Sequence, residues 1–378
     1  MNICLFTSTF LPKTGGLENV VDTLAKTFIR LGHNVVVLAK TPRGMKEAPK
    51  FDYPVYYYKR SRSEVWFLGS PKRELLRLHK QYKFDIIHAH QIYPTGWLAV
   101  KFSQKYGIPA VLTSHVGDVH DGSRYRRHWL ISRRMIWAMR HAGAVTGVGS
   151  GICETIDSLL PSPKALYIEN GCEGIGNPVP SAALQQKLQE LGLDRGFDLT
   201  VCRLHRNKGL NYLVDAYALM KQRNFNAPPL IMAGSGQEEE ALKQQITGLG
   251  LSDKIHLIGK VDKNDRNFLL TRCRFFLQPS VLEGMPLTIL ESLAAGCPVI
   301  ATRIPGIAEV LRDGWNGRLV NPASPEEIAD LYPQLTDEKR SEYAGHALEI
   351  LKTQSWERIA QKYLALFEKL ISKQEADK

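Results

Sequence analysis

Two glutamates, Glu283 and Glu291, bracket the seven residues Gly284-Met285-Pro286-Leu287-Thr288-Ile289-Leu290, directly after an apolar run that ends near Gln278 to Ser280. The run predicts a strand, and the stretch from Glu283 to Glu291 predicts a loop entering a helix. N–H groups at a helix N-terminus favour phosphate, and a carboxylate one or two turns in can accept hydrogen bonds from ribose hydroxyls. Glu291 is therefore a ribose candidate and Glu283, at the loop, a candidate for sugar hydroxyls. In isolation the pair would read as a dipole-stabilised N-terminal acid and a solvated second one. A second motif weakens that plainer reading. Arg203-Leu204-His205-Arg206-Asn207-Lys208-Gly209 follows the first strand of the second half and precedes another helix, and ligands of parallel sheets bind at such strand ends. Arg203 and Lys208 could neutralise a diphosphate leaving group, a task for which other enzymes recruit a divalent metal. No Asp-x-Asp pair occurs, and no His, Cys or carboxylate cluster has metal-ligand spacing. Metal-free chemistry without a cofactor is expected.

The elements that position these residues follow from pattern. Asn2 to Ser8 reads as a strand, then a loop with Pro12, Gly15 and Gly16, then a helix from Leu17 to Leu31. Asn34 to Leu38, Asp85 to His90 and Ala110 to His115 read as further strands. In the second half, strands are expected at Leu199 to Cys202, Leu230 to Ala233, Ile255 to Ile258, Phe275 to Gln278 and Pro298 to Thr302, separated by helical stretches. Strands alternating with helices imply parallel, doubly wound sheets. At 378 residues the chain has room for two such domains. The expected division is 1–175, 176–355 and a closing helix in 356–378, with Glu173 to Ala182 as linker.

A chain that is 44% hydrophobic and 23% charged is folded rather than disordered. No run approaches a membrane span, and Met1 leads into a strand without a signal-peptide pattern, so a cytoplasmic protein is expected. The six cysteines lack C-x-x-C spacing and read as reduced thiols. The net charge of +11 lies wholly in the first 180 residues, which hold 24 Lys and Arg against 13 Asp and Glu; the remainder balances at 25 against 25. A one-sided basic field attracts a membrane surface, a nucleic acid or an acidic substrate.

Taken together, the order and spacing of several stretches resemble glycosyltransferase family 4, the retaining GT-B enzymes, over essentially the whole chain. The stretches are Gly15-Gly16-Leu17-Glu18, Thr113-Ser114-His115-Val116-Gly117-Asp118, Asn170-Gly171, the Arg203 and Lys208 pair, Gly234-Ser235-Gly236, the two-glutamate motif, and Gly314-Trp315-Asn316-Gly317. The resemblance implies a GT-B fold, two Rossmann-like domains facing a central cleft with a C-terminal helix crossing back. It implies a UDP- or GDP-sugar donor held mainly by the second domain: Arg203 and Lys208 on the diphosphate, Glu291 on the ribose, the base near Val261. The backbone from Met285 through Pro286 and Leu287 to Thr288, together with Gly234, would approach phosphates and sugar, with Glu283 on sugar hydroxyls. His115 is expected beside the transferred sugar and Gly15 and Gly16 near the phosphates. Transfer of a hexose or N-acetylhexosamine with retention, to a glycan or lipid-linked acceptor, would need no enzyme nucleophile; positioning and leaving-group stabilisation supply the catalysis.

Plainer readings stand beside these roles. A histidine at a strand end is more often structural, but the surrounding Thr113 to Asp118 motif favours a site role for His115. His88 and His90 share one strand face with no partner visible. Gly234-Ser235-Gly236 lacks the third glycine of the dinucleotide fingerprint because position 239 is Glu, which argues against a nicotinamide enzyme. Two departures from the family pattern, Asn170-Gly171-Cys172-Glu173 and Pro305-Gly306, bear on donor contacts. The rival readings are a non-catalytic sugar-nucleotide-binding protein and an inverting transferase, for which Asp118 is the tempting base.

The stretch from Arg124 to Arg140 interleaves Arg124, Arg126, Arg127, Arg133, Arg134 and Arg140 with Tyr125, Trp129, Ile131, Met135, Ile136, Trp137 and Met139. It is expected as one basic amphipathic helix suited to an anionic membrane at the inner face of the plasma membrane. Lys59, Arg60, Arg62, Lys72, Arg73 and Arg77 around Trp66-Phe67-Leu68 would strengthen it. Core packing with a solvated arginine face, and recognition of a phosphorylated soluble acceptor, remain alternatives; no nucleic-acid-binding signature accompanies the charge.

Overall fold

The computed structural model describes residues 1–13, 15–59, 69–193 and 196–376. Two compact units emerge: Met1–Asn170 with Trp356–Lys378, and Gly171–Ser355. The chain leaves the first unit after Asn170 rather than at 175. The reason is local: the Cys172 N–H donates to the Gln354 carbonyl at 2.8 Å, and Cys172 bridges Ser355, so both crossings meet in one ladder rung of the second unit.

The first unit is built on seven strands, β1 (Asn2–Thr7), β2 (Asn34–Lys40), β3 (Val55–Tyr58), β4 (Ile86–His90), β5 (Ala110–Ser114), β6 (Ala144–Gly147) and β7 (Ala165–Tyr167). Their order is β3-β2-β1-β4-β5-β6-β7, and every pair is parallel. The second unit has six, β8 (Asp198–Val201), β9 (Leu230–Ala233), β10 (Ile255–Gly259), β11 (Phe276–Gln278), β12 (Val299–Thr302) and β13 (Gly317–Val320), in the order β10-β9-β8-β11-β12-β13, again all parallel. Each sheet reverses its winding once, at β1/β4 and at β8/β11. Crevices for ligands in such sheets open at the carboxyl ends of the strands flanking that reversal.

Burial explains the strands. The inner strands are closed on both faces by helices, so they are continuous apolar runs: Ile3, Cys4, Leu5 and Phe6 of β1 are fully enclosed, as are Leu230, Ile231 and Met232 of β9. The helix Gly16–Arg30 buries Val20, Val21, Leu24, Ala25 and Phe28, one stripe at helical spacing. The helix Trp356–Ala376 buries Ile359, Ala360, Tyr363 and Phe367 in the first unit, with the Phe367 ring 5.9 Å from that of Phe28. Among the described residues, no helix is long and apolar enough to cross a membrane. All six cysteines are free, five of them buried.

The expected single basic helix is two. Arg124–Arg127 and Trp129–His141 are separated at His128, whose extended backbone (φ −95°, ψ 110°) serves as N-cap of the second. The first is capped by Ser123, whose hydroxyl accepts the Tyr125 N–H. The break turns the two short segments so that Tyr125, Ile131, Met135 and Met139 are buried while Trp129 is 67% exposed.

Candidate functional site

At the β8/β11 reversal, two loops meet. The turn after β8 carries Lys208 and the loop after β11 carries Glu283, and the Lys208 ammonium donates to Glu283 Oε1. The Gln278 amide and the Ser280 hydroxyl donate to that same oxygen, each at 2.8 Å. The Gln278 amide is itself fixed by the Thr288 hydroxyl, which donates to its Oε1 at 2.9 Å. Glu283 Oε1 therefore collects three donors, while Oε2 has no partner among the described residues and is not enclosed. The loops are joined by backbone as well: the Val281 N–H donates to the Asn207 carbonyl at 2.9 Å.

Glycine geometry explains how closely these loops pack. A Cβ on Gly306, whose φ is +83°, would fall 1.5 Å from the Gly284 carbonyl oxygen, so Pro305-Gly306 braces the glutamate loop. A Cβ on Gly234 would fall 1.9 Å from the Cys202 carbonyl oxygen, which gives this glycine a reason in loop packing. Arg203 is exposed beside these loops and makes no hydrogen bond or ion pair among the described residues. Val261 is half-buried just beyond β10, away from the reversal.

The helix Leu287–Ala294 begins at Pro286 without a side-chain cap, and Met285 and Pro286 are buried before it. Its first N–H groups are thus orphan donors, with the positive end of the helix dipole behind them. One turn in, Glu291 Oε1 pairs with Arg266 Nη2 at 2.8 Å, the pair being 21% and 13% exposed. Burial pushes the Glu291 carboxyl above its usual range, and the Arg266 charge opposes this. Glu291 Oε2 is enclosed and unpartnered, a state that costs about 1–3 kcal/mol until a donor arrives.

In the first unit, Gly15 caps the helix Gly16–Arg30, and a Cβ on it would meet Glu18 Oε2 at 2.6 Å. Glu18 is buried, accepts the Thr9 hydroxyl and pairs with Lys13 at 3.3 Å. His115 directly follows β5 and is the N-cap of Val116–Val119. Its Nε2 lies 3.3 Å from His90 Nδ1, and the rings stack at 5.6 Å and 27°. Burial pushes the His115 ring down to about 4 and that of His88 to about 3. His115 is therefore a neutral hydrogen-bonding group at pH 7. The partners of His88 and His90 that strand alternation could not supply are thus the Thr113 hydroxyl on the neighbouring strand and, for His90, His115 just beyond it.

Asp118 has no open side. It is fully buried, accepts Ser114 Oγ at 2.7 Å through Oδ1 and the Ile92 N–H at 2.6 Å through Oδ2, and burial raises it to about 6. Such a carboxylate ties loops together. Asn316 is likewise structural, accepting the Arg312 N–H at 2.8 Å and donating to the Val310 carbonyl at 3.1 Å. Among the described residues no three His, Cys, Asp or Glu side chains converge as a metal site.

The basic stretch is partly committed internally. Arg126 pairs with Asp121 and donates to the Val119 carbonyl, and Arg134 lies 4.5 Å over the Trp97 ring. Arg124 stacks on Tyr125 at 4.9 Å, Arg127 donates to the Gly122 carbonyl at 3.3 Å, and Trp137 stacks on His141 at 4.7 Å. Arg124, Arg127 and Arg133 are exposed, with Trp129. In the second basic cluster Lys59, Lys72, Arg73 and Arg77 are exposed, whereas Arg60, Arg62 and Trp66-Phe67-Leu68 lie outside the described residues.

Comparison with known proteins places this architecture. Residues 14–173 match the family described as Glycosyltransferase Family 4, and residues 186–347 match Glycosyl transferases group 1. The chain is 26% identical over 339 residues to the alpha-monoglucosyldiacylglycerol synthase of Streptococcus pneumoniae, covering 84% of this chain and 75% of that one. Among solved structures, Anabaena HepE in complex with UDP and glucose superposes with a TM-score of 0.78 at 21% identity, covering 98% of this chain and 100% of that one. The sucrose-phosphate synthase of Thermosynechococcus elongatus gives 0.82 at 18% identity, over 98% and 99%. The two parallel-sheet units with their paired strand-end loops, and the two family matches laid end to end along the chain, carry one conclusion: the protein belongs to the family 4 glycosyltransferases of GT-B fold.

Proposed function

We propose that this glycosyltransferase moves a hexose or N-acetylhexosamine, with retention and without a metal, from a UDP- or GDP-sugar to a glycan or lipid-linked acceptor in glycolipid or surface polysaccharide assembly. The observation that carries the reading is Glu283, anchored through Oε1 by Lys208, Gln278 and Ser280 and open at Oε2. A preorganised carboxylate oxygen beside an ammonium suits a sugar hydroxyl next to a diphosphate. Arg203 and Lys208 take the leaving diphosphate together with the uncapped N-terminus at Leu287 and Thr288, and Glu291 takes the ribose. His115 donates to or accepts from the transferred sugar as a neutral ring. The engagement of both Asp118 oxygens supports retention, because the inverting alternative loses its candidate base. The relative named a glucosyldiacylglycerol synthase supports a lipid-linked acceptor.

The test is a thermal-shift and donor-hydrolysis screen against UDP-, GDP-, ADP- and TDP-sugars with EDTA present, repeated with Glu291→Ala and Lys208→Ala. Stabilisation by one nucleotide that both substitutions abolish is expected. A folded protein that responds to none, or only after Mg²⁺ is added, overturns the donor site or its metal independence respectively. The anomeric configuration of the product, read by NMR, decides retention.

Membrane docking belongs to the same reading, carried by Trp129 with Arg124, Arg127 and Arg133 on the exposed side of the two short helices. Flotation with anionic liposomes should fall with rising salt. Binding that ignores anionic lipid content would sink the electrostatic version.

A further inference from the structure

Three histidines form one row in the first unit. Alternation on β4 puts His88 and His90 on the same face, with ring centroids 4.3 Å apart, and both are fully buried. His90 is followed in the row by His115, at 3.3 Å from Nδ1 to Nε2. At the other end, His88 Nε2 lies 2.7 Å from the Thr113 hydroxyl, which meets Thr146 Oγ1 at 2.7 Å and the Tyr363 hydroxyl at 3.2 Å. Tyr363 and Phe367 cover the His88 ring at 4.6 and 5.4 Å. Enclosure keeps all three rings uncharged, so each holds one N–H and one lone pair.

That restriction leaves a single proton to place between His90 and His115. If His115 carries it on Nε2, the His90 N–H sits at its own Nε2, which is enclosed without a partner. If His90 carries it on Nδ1, the enclosed atom is a lone pair. A buried N–H without an acceptor is the rarer and less tolerated of the two vacancies. His115 Nδ1, in contrast, is neither bonded among the described residues nor enclosed.

We propose that His90 is a positioning residue: its Nδ1–H donates to Nε2 of His115 and holds His115 as the Nδ1–H tautomer, so that the open side of the ring presents a donor. The use of that donor rests on the proposed function, in which His115 adjoins the transferred sugar; the N–H then donates to one of the sugar's oxygens. A second histidine thereby decides the hydrogen-bonding sense of the first.

The experiment uses the full chain with ¹⁵N-histidine and long-range ¹H–¹⁵N correlation, His115 being assigned by His115→Asn, alongside steady-state kinetics of His90→Asn and His90→Leu. The asparagine amide places a donor where Nδ1 was; leucine places none. The expected result is the Nδ1–H tautomer of His115 in the unsubstituted protein and in His90→Asn, and loss of that preference in His90→Leu. In the kinetics, kcat of His90→Leu falls about tenfold at a donor KM within about twofold, and His90→Asn recovers most of the loss. An Nε2–H tautomer in the unsubstituted protein, or equal kcat for the two variants, overturns the proposal. Should His90→Leu fail to fold, the tautomer of the unsubstituted protein and of His90→Asn still decides. The tautomer is read without turnover, so a protein inactive with every donor refutes the proposed function and leaves this inference standing or falling on the spectrum.

Discussion

The two units solve the placement of polar groups beside their sheet reversals in opposite ways. At β8/β11 the second unit sets full charges in pairs, Lys208 with Glu283 and Arg266 with Glu291, each largely buried and each with one carboxylate oxygen left over. On β4, which flanks the other reversal, and its neighbour β5, the first unit buries groups that could ionise and keeps them neutral, as His88, His90 and His115. Paired charges suit a ligand that is itself charged and must be released after its charge grows. A neutral row suits an uncharged polar ligand, because a desolvated cation there would pull on a phosphate as strongly as on a hydroxyl. On the proposed function, the difference means that the two units divide recognition by charge class.

The largest expected effect breaks the charged side. Lys208→Met leaves Glu283 with a buried negative charge and no cation, and should lower kcat/KM by about a thousandfold in a transfer assay. Recovery in Lys208→Met with Glu283→Gln should be small, since leaving-group stabilisation is not restored. A double variant near full activity would reduce the pair to a structural role. On the neutral side, His115→Ala should lower kcat by about a hundredfold while leaving the nucleotide dissociation constant within about twofold, measured by calorimetry. Weakened nucleotide binding of similar size would place His115 on the charged side of the division.

The smallest effects concern two buried carboxylates with similar shifts and different surroundings. Asp198 and Asp118 are each raised to about 6 by burial. Because the folded value is raised, the contribution of each group to stability is fully present below about pH 4 and is lost as pH rises through about 6, where the folded carboxyl must ionise. Asp198 accepts the Tyr332 and Tyr217 hydroxyls through Oδ2, at 2.7 and 3.2 Å, and its Oδ1 has no partner. Asp198→Asn keeps that acceptor and removes the charge, so thermal unfolding at pH 7.5 should rise by about 2–4 °C, on the order of 1–2 kcal/mol, with no gain at pH 4. Asp118 accepts on both oxygens, the Ile92 N–H on Oδ2 and the Ser114 hydroxyl on Oδ1. Asp118→Asn turns an amide N–H either toward the Ile92 N–H or toward the Ser114 hydroxyl, which donates to that position in the unsubstituted protein, and should lower the midpoint instead. A gain from both substitutions would show that charge burial outweighs bond geometry at each site.

Much of this division is legible in the residues alone. The strands from Leu230 to Ala233 and from Asn34 onward are apolar runs that only a two-sided burial explains, and both formed. Pattern misses four strands: Val55–Tyr58, Ala165–Tyr167 and Gly317–Val320 lie at sheet edges, the last opening on a glycine and carrying Arg318, and Ala144–Gly147 is an inner strand of only four residues that ends on a glycine. Glycine spacing in 234–236 is legible, but that its steric reason lies in the Cys202 carbonyl is not, since the contact joins two strands distant in sequence. The role of Arg266 beside Glu291 escapes sequence reasoning for the same reason. A signal for the histidine row does exist: an alternating His-x-His on one strand and a histidine ending a later one. What the sequence lacks is the β4–β5 register that aligns His90 with Thr113.

Tyr363 and Phe367 close over His88, yet they belong to a helix encoded after the entire second unit. During synthesis, residues Gly171–Ser355 must emerge before this covering helix exists, a wait of roughly 10–40 s at about 5–20 residues per second. Until then the row is open to water and the sheet beside it has an uncovered apolar face. The first unit is therefore first in the sequence and last to be finished, and a nascent chain halted before Trp356 would present that face to chaperones with its second unit already complete.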